Sequence, residues 1–297
     1  MTICQRVALL GKGSLGTVLL DELLNNNFTV TVLTRSVSSA TFIPPGAALK
    51  EVDYTSIESL KSALAGHDIV ISTLTSSVIS LQKPVIDAAI AVGVKRFIPA
   101  EYGAMASDPV GRKLPFHRDA VEIHEYLREA AAAGLIDYTV FGVGVFMELL
   151  FTTALVADLD HGEVRLFDGG IHPFSTSRLE TVARAVVASL HRPDETRNRV
   201  IRVHDGVLTQ RELLDMAKGW KPALEWKEEY VDAQAEVDRN LKQLEKEFDP
   251  ALVPGLFTAA LMSGRYGAEY KEVDNELLGL GFMVKREINE FGKGLTK

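Results

Sequence analysis

The feature that most restricts the fold is the hexapeptide Gly11-Lys12-Gly13-Ser14-Leu15-Gly16, set between an apolar run and an amphipathic stretch. Residues 5–10 have the composition of a buried strand. Residues 14–24 place Leu15, Val18, Leu19 and Leu23 near helical spacing. A G-x-G-x-x-G between a strand and a helix is the arrangement that holds a dinucleotide pyrophosphate. Gly11 permits the tight turn, Gly13 lets the backbone approach the phosphates, and Gly16 lets helix and strand pack closely. The helix N-terminus adds unpaired N–H groups and the positive end of a dipole.

The rest of the chain repeats this rhythm. Residues 28–34 are rich in β-branched side chains and predict a strand. Pro44-Pro45-Gly46 breaks the next loop, and 47–53 predicts a third strand. Residues 55–65 predict a helix capped by Thr55 or Ser56, with Glu58 in its first turn. Strands follow at 67–73, 94–100 and 137–143, separated by helices at 82–92 and 117–133, the latter closed by Gly134. Strict strand–helix alternation with crossover-length connections predicts an α/β fold, a parallel doubly wound sheet of the NAD(P)-binding Rossmann type. After about residue 148 the rhythm loosens. The helix 178–191 and the strand 199–204 are expected to return to the main sheet. The expected division is therefore 1–150, with 178–205, as the dinucleotide domain, and 151–297 mainly as a smaller substrate lobe. The charged helix 230–247 is expected to be a solvated face.

Composition narrows the setting. In 297 residues, 46% are hydrophobic and 24% charged, as in soluble globular proteins. No apolar run approaches the ~20 residues that span a bilayer. One cysteine, Cys4, excludes an internal disulfide, fits a reducing, cytoplasmic interior and is expected to open a buried strand. A net charge of −8 argues against nucleic acid as a partner, which requires a basic face.

The end of the second strand selects the nucleotide. An NAD site places Asp or Glu there against the ribose hydroxyls; this chain has Thr34-Arg35-Ser36. Arg35 can grip a 2′-phosphate with two planar donors, and Lys12 adds a second positive charge, so NADP(H) is the expected cofactor. Asp53, ending the third strand, either faces the adenine or caps the next helix.

Taken together, the glycine loop, Arg35, the segment HDIVIST at 67–73, Arg96-Phe97-Ile98-Pro99-Ala100-Glu101-Tyr102-Gly103 and Phe141-Gly142-Val143-Gly144-Val145-Phe146 resemble the isoflavone reductase-like and NmrA-like proteins, atypical short-chain dehydrogenase relatives. The resemblance covers most of the chain and weakens after residue 210. It implies a Rossmann lobe and a small substrate lobe with a cleft between them. It implies either NADPH-dependent reduction of phenylpropanoid-like aromatic substrates or, as in the family's other branch, nucleotide sensing without turnover. It places Thr73, Leu74 and Thr75 beside the cofactor ribose, Ala100, Glu101 and Tyr102 near the nicotinamide, and Phe146 over the cleft.

The chain also departs from that pattern. Where the family's reductases carry a lysine on the long helix stands Arg118, and no lysine occurs between Lys113 and Lys218. Gly144 stands where an asparagine is common, and the acidic residue of the later helix is shifted to Glu180. An arginine stabilises an oxyanion but is a poor proton donor. His117, of a residue type that titrates near neutrality unless perturbed, is then a candidate proton shuttle, and Tyr102 a candidate hydroxyl donor; the plainer reading puts His117 and His124 at the border of a packed helix face and Tyr102 in packing. His172 and Phe174 either line the cleft or belong to the core. His117 and His124 lie seven positions apart, too far for a compact metal site, so no metal is expected. Two readings follow: an NADPH-dependent reductase of a small aromatic or enone-like molecule, or an NADP(H)-sensing regulatory or scaffold protein. A homodimer or a regulatory protein partner is left open by both.

Overall fold

The large sheet owes its form to apolar strands with no solvated face. Four of them, β1 (Arg6–Leu10), β2 (Thr29–Thr34), β4 (Ile69–Ser72) and β5 (Arg96–Ile98), are largely or wholly buried, as strands covered by helices on both sides must be. With β3 (Ala47–Glu51), β6 (Asp137–Gly142) and β7 (Arg199–Arg202) they run in the order β7-β6-β5-β4-β1-β2-β3. The pairs β3–β2, β2–β1, β1–β4, β4–β5 and β5–β6 are all parallel. This is the Rossmann arrangement, and the strand order reverses between β1 and β4. The computed structural model describes residues 5–36, 43–247 and 249–296, so Cys4 lies outside the described residues.

The crossover helices form where the sequence pattern puts them. Helix α1 (Ser14–Asn25) buries Leu15, Leu19, Leu20 and Leu23. Helix α2 (Ile57–Leu64) is capped by Ser56, whose side chain accepts from the Ser59 N–H. Helix α3 (Gln82–Ala91) and helix α4 (Arg118–Ala132) follow, the latter burying Ala120, Ile123, Leu127 and Ala130. Gly134 stops the chain just beyond α4 at φ +70°. Helix α5 (Leu179–His191) packs against α1, with Phe28 tilted on the His191 ring at 5.4 Å. Arg96, buried in β5, donates to Thr196 Oγ1 and the Pro193 carbonyl, and Thr139 donates to the Thr196 carbonyl. These bonds tie β5 and β6 to the turn that leads into β7.

The chain folds as two compact units. One takes the chain up to Tyr102, then Arg118–Phe141 and Leu179–Ile201; the other takes Gly103–His117, Gly142–Arg178 and the chain from Arg202 onward. The second unit holds a three-stranded sheet in which Pro173–Ser177 lies antiparallel to Gly206–Thr209 and parallel to Val145–Phe146. Its core gathers Met147, Leu150, Phe151, Phe174, Leu208, Leu256 and Leu261. The charged helix in this unit, Ala233–Lys246, is only in part the solvated face expected of it. Ala233 and Val237 are fully buried, and Glu236 is 5% exposed and ion-paired to Arg165 at 3.2 Å. Paired with arginines, a glutamate can leave water at acceptable cost, which a reading of charge alone misses.

Candidate functional site

Parallel strands end on one edge of their sheet, and a crevice opens there at the point where strand order reverses. In this chain that crevice is a cavity of about 450 Å³ within the first unit. Gly11, Lys12 and Gly13 line it after β1, Thr34 and Arg35 at the end of β2, and Thr73, Leu74 and Thr75 after β4. The apolar part of the lining includes Val32, Leu49 and Tyr54.

The glycines have separate physical reasons. Gly11 sits at φ +90°, left-handed backbone that glycine adopts without strain. A β-carbon on Gly16 would stand 2.5 Å from the Gly11 carbonyl oxygen and 2.8 Å from Thr73 Oγ1, so α1 could not approach β1 and β4. Gly13 differs: its β-carbon would meet nothing within 4 Å and would project into open space. Space left open above a backbone at the start of α1, whose first turn carries no acidic side chain, suits a phosphate. Thr73 Oγ1 donates to the carbonyls of Leu10 and Gly11, both at 3.0 Å, which fixes the loop from below. Ser14, Leu15 and Gly16 lie in the first turn of α1 rather than on the cavity wall.

Asp53 does not cap the next helix, a place that Ser56 takes; it closes a turn just before it. Its carboxylate accepts from Thr55 N–H at 2.8 Å and Thr55 Oγ1–H at 2.7 Å, bonds that hold its pKa below the usual carboxylate value. The neighbour Tyr54 lines the cavity instead, 6% exposed, and burial pushes its hydroxyl up to about 12. Sequence pattern gave no signal for Tyr54 beyond its place after the third strand.

Two strands along, Ala100 and Glu101 follow β5. The Ala100 N–H donates to Gln82 Oε1 at 2.7 Å, and the Gln82 Nε2 donates to the Ile79 carbonyl. Gln82 is fully buried at the start of α3 and was invisible as a site residue in the sequence, where it reads as an ordinary helix opener. Glu101 is 8% exposed; burial pushes its carboxyl up to about 7. Among the described residues that carboxyl makes no ion pair and no hydrogen bond, and its oxygens keep the residue's small contact with solvent. Tyr102 stacks on Phe141, ring centroids 6.3 Å apart and planes at 19°, and its buried hydroxyl has no hydrogen-bond partner among the described residues. The packing role expected as the alternative for Tyr102 is therefore filled, although the orphaned hydroxyl is not explained by packing.

The long helix does not bring Arg118 to the cavity. Its side chain is 77% exposed, contacts Asp119 at 3.4 Å and lies off the buried stripe Ala120, Ile123 and Leu127. The placement of Arg118 as a site group in the family lysine's stead finds no support in these surroundings. In the second unit His117 is 7% exposed, edge-on to Phe116 at 4.5 Å, with Phe116 in turn against Phe257. Phe146 is half-buried opposite Ser177. Phe174 is core, and His172 faces Asp168 at 3.4 Å. Among the described residues no cluster of three metal-ligating side chains occurs, and no helix is long and apolar enough to cross a membrane.

Comparison with known proteins places this geometry in context. A sequence profile of the NmrA-like family matches residues 5–276. Oxidoreductase aprR of Aspergillus flavus is 32% identical over 276 residues, 90% of this chain and 91% of that protein. Among solved structures, AtPrR2 with NADP+ and (+)pinoresinol superposes with a TM-score of 0.78 at 22% identity, covering 98% of each chain. The ternary complex of leucoanthocyanidin reductase from Vitis vinifera gives 0.77 at 18% identity, covering 98% of this chain and 100% of that one.

Proposed function

The chain belongs to the NmrA-like family, and on that premise we propose that it is an NADPH-dependent reductase of a small aromatic or enone-like molecule. The observation that carries the reading is the convergence of Lys12 and Arg35 on the glycine-lined cavity at the sheet's switch point. The residues fit the cofactor. Gly11, Gly13 and the N-terminus of α1 would hold the pyrophosphate, and Arg35 with Lys12 the 2′-phosphate. Val32, Leu49 and Tyr54 offer the adenine an apolar slot, and Thr73, Leu74 and Thr75 would flank the second ribose. The similarity to proteins named as oxidoreductases supports the chemical class, and in the AtPrR2 complex the same fold in another protein accompanies NADP+ and (+)pinoresinol.

When bound, NADPH supplies a hydride, and the chain has to position the acceptor and exclude water. A sensing role without turnover is the second reading; the solvent-exposed Arg118 in place of a lysine favours it. Two measurements separate these. Gly13→Val should abolish NADPH binding by calorimetry while the circular dichroism spectrum stays native, because the added side chain enters the open space over the loop. Normal binding by that variant would remove the loop as the phosphate cradle. Wild-type protein should oxidise NADPH with members of a panel of enones and aryl-substituted acceptors; binding without consumption across the panel would leave the sensor.

A further inference from the structure

We propose, resting on the reductase reading, that Glu101 is the catalytic acid, the residue that gives the substrate the proton required to balance hydride addition.

The sheet order gives the direction of the bound dinucleotide. A dinucleotide held by these residues would place its pyrophosphate at the loop after β1 and its adenosine end toward β2, where Arg35 stands. The second nucleoside must then extend the other way, past β4 and toward β5. Neighbouring strands are roughly 4.8 Å apart, so the end of β5 lies about 10 Å from the end of β1 along this edge. Glu101 stands three residues beyond the last residue of β5.

Its surroundings point to a function rather than to packing. Glutamate is rarely buried unless paired, since an isolated carboxylate loses its hydration with nothing in return. Here burial comes without a partner for the carboxyl among the described residues, and burial is the one cause of its raised pKa. No charge on β4, β5, α3 or β6 enters that shift. The backbone around it is held firmly: Ala100 N–H on Gln82, Glu101 N–H on the Pro99 carbonyl at 2.8 Å, and Tyr102 stacked on Phe141. An acid that gives up its proton near physiological pH, on a fixed backbone, is what general-acid catalysis needs. The alternatives are poorer. The Arg118 side chain is exposed to solvent, and the Tyr102 hydroxyl is pushed by burial well above its ordinary value. That hydroxyl can still donate a hydrogen bond to a substrate oxygen.

The step balances as follows for an enone. NADPH, when bound, would supply the hydride to the β-carbon and be oxidised to NADP+, with the displaced C=C electron pair moving through to the carbonyl oxygen. The Glu101 O–H bond breaks, its proton goes to that oxygen, and the enol so formed tautomerises to the ketone. The Glu101 carboxylate regains its proton from water.

Glu101→Gln, close in shape but with no acidic proton, should lower kcat at least a hundredfold and leave the NADPH dissociation constant within about twofold. In wild-type protein kcat should be level below pH 7 and fall about tenfold per pH unit above it. Glu101→Asp should restore part of the rate with its pH limb shifted. Independently of turnover, carboxyl ¹³C NMR of the cofactor-free protein should show one glutamate titrating near pH 7 that is missing from the Gln variant. A Gln variant within threefold of wild type, an unchanged pH limb, or the absence of a near-neutral glutamate titration would each overturn the assignment while leaving the reductase reading intact. Wild-type protein that binds NADPH but consumes it with no acceptor would overturn the reductase reading, and the step with it. Loss of turnover on Arg118→Ala with Glu101→Gln unaffected would move the role to the long helix.

Discussion

Under the proposed reading, Arg35 sets the cofactor preference and Glu101 carries a cost in stability. Arg35 lines the cavity after β2, and each charge-assisted bond to a 2′-phosphate is worth about 1.5–3 kcal/mol. NADPH should therefore bind at least about tenfold more tightly than NADH. Arg35→Asp should erase or reverse that ratio in a pair of calorimetric titrations; a variant that keeps the preference would disqualify Arg35. Glu101 acts on stability in the opposite sense. Its folded pKa of about 7 exceeds the ordinary value of 4.5, so between these the native state binds more protons than the unfolded chain. Stability then falls as pH rises from about 4.5 to 7, by up to about 3 kcal/mol. Glu101→Gln should flatten that slope in urea titrations at pH 5 and pH 8 and gain most at pH 8. The same slope in both proteins would show that the group does not carry the penalty.

Among the elements, the strand ends and turns decide more than the strands themselves. The turn at Gly144 is a case where a departure from the family pattern has a steric reason. Its φ is +70°, and a β-carbon there would collide with the Ser175 carbonyl oxygen on the strand Pro173–Ser177. The polar side chain that the family pattern suggests at this position has no room in this chain. Gly144→Ala should lower the unfolding free energy by about 2–4 kcal/mol, combining backbone strain with displacement of the neighbouring strand. Urea denaturation measures this directly, and an unchanged midpoint would mean that the strand yields freely. The glycine loop shows two different constraints: a β-carbon on Gly16 would break packing, whereas one on Gly13 would only enter the open space where the proposed phosphate would sit. Helix boundaries follow caps that can be read in the chain. Ser56 closes the start of α2, and Thr209 forms a capping box with Glu212 at the start of Gln210–Trp220.

For the molecule as a whole, a nucleotide that binds only the folded chain must stabilise it. At one hundred times the dissociation constant the gain is about 2.7 kcal/mol. NADPH should raise the melting temperature in a concentration-dependent way, and NADH at the same concentration should raise it less. Equal shifts would contradict a site built around Lys12 and Arg35. The alternation of strands and helices, the place of the glycine loop and the basic end of β2 were all legible in the sequence. They are local properties: a periodicity, a steric requirement for missing side chains, and the sign of one charge. The sequence also showed what is missing, a lysine anywhere between Lys113 and Lys218. Where Arg118 points, what Asp53 binds, how Gln82 holds Ala100, and that Glu101 is nearly buried without a partner among the described residues were decided only in the tertiary structure. Burial and pairing depend on segments far apart in the chain, as Glu236 under Arg165 also shows, and no local pattern records which charges the fold will take out of water.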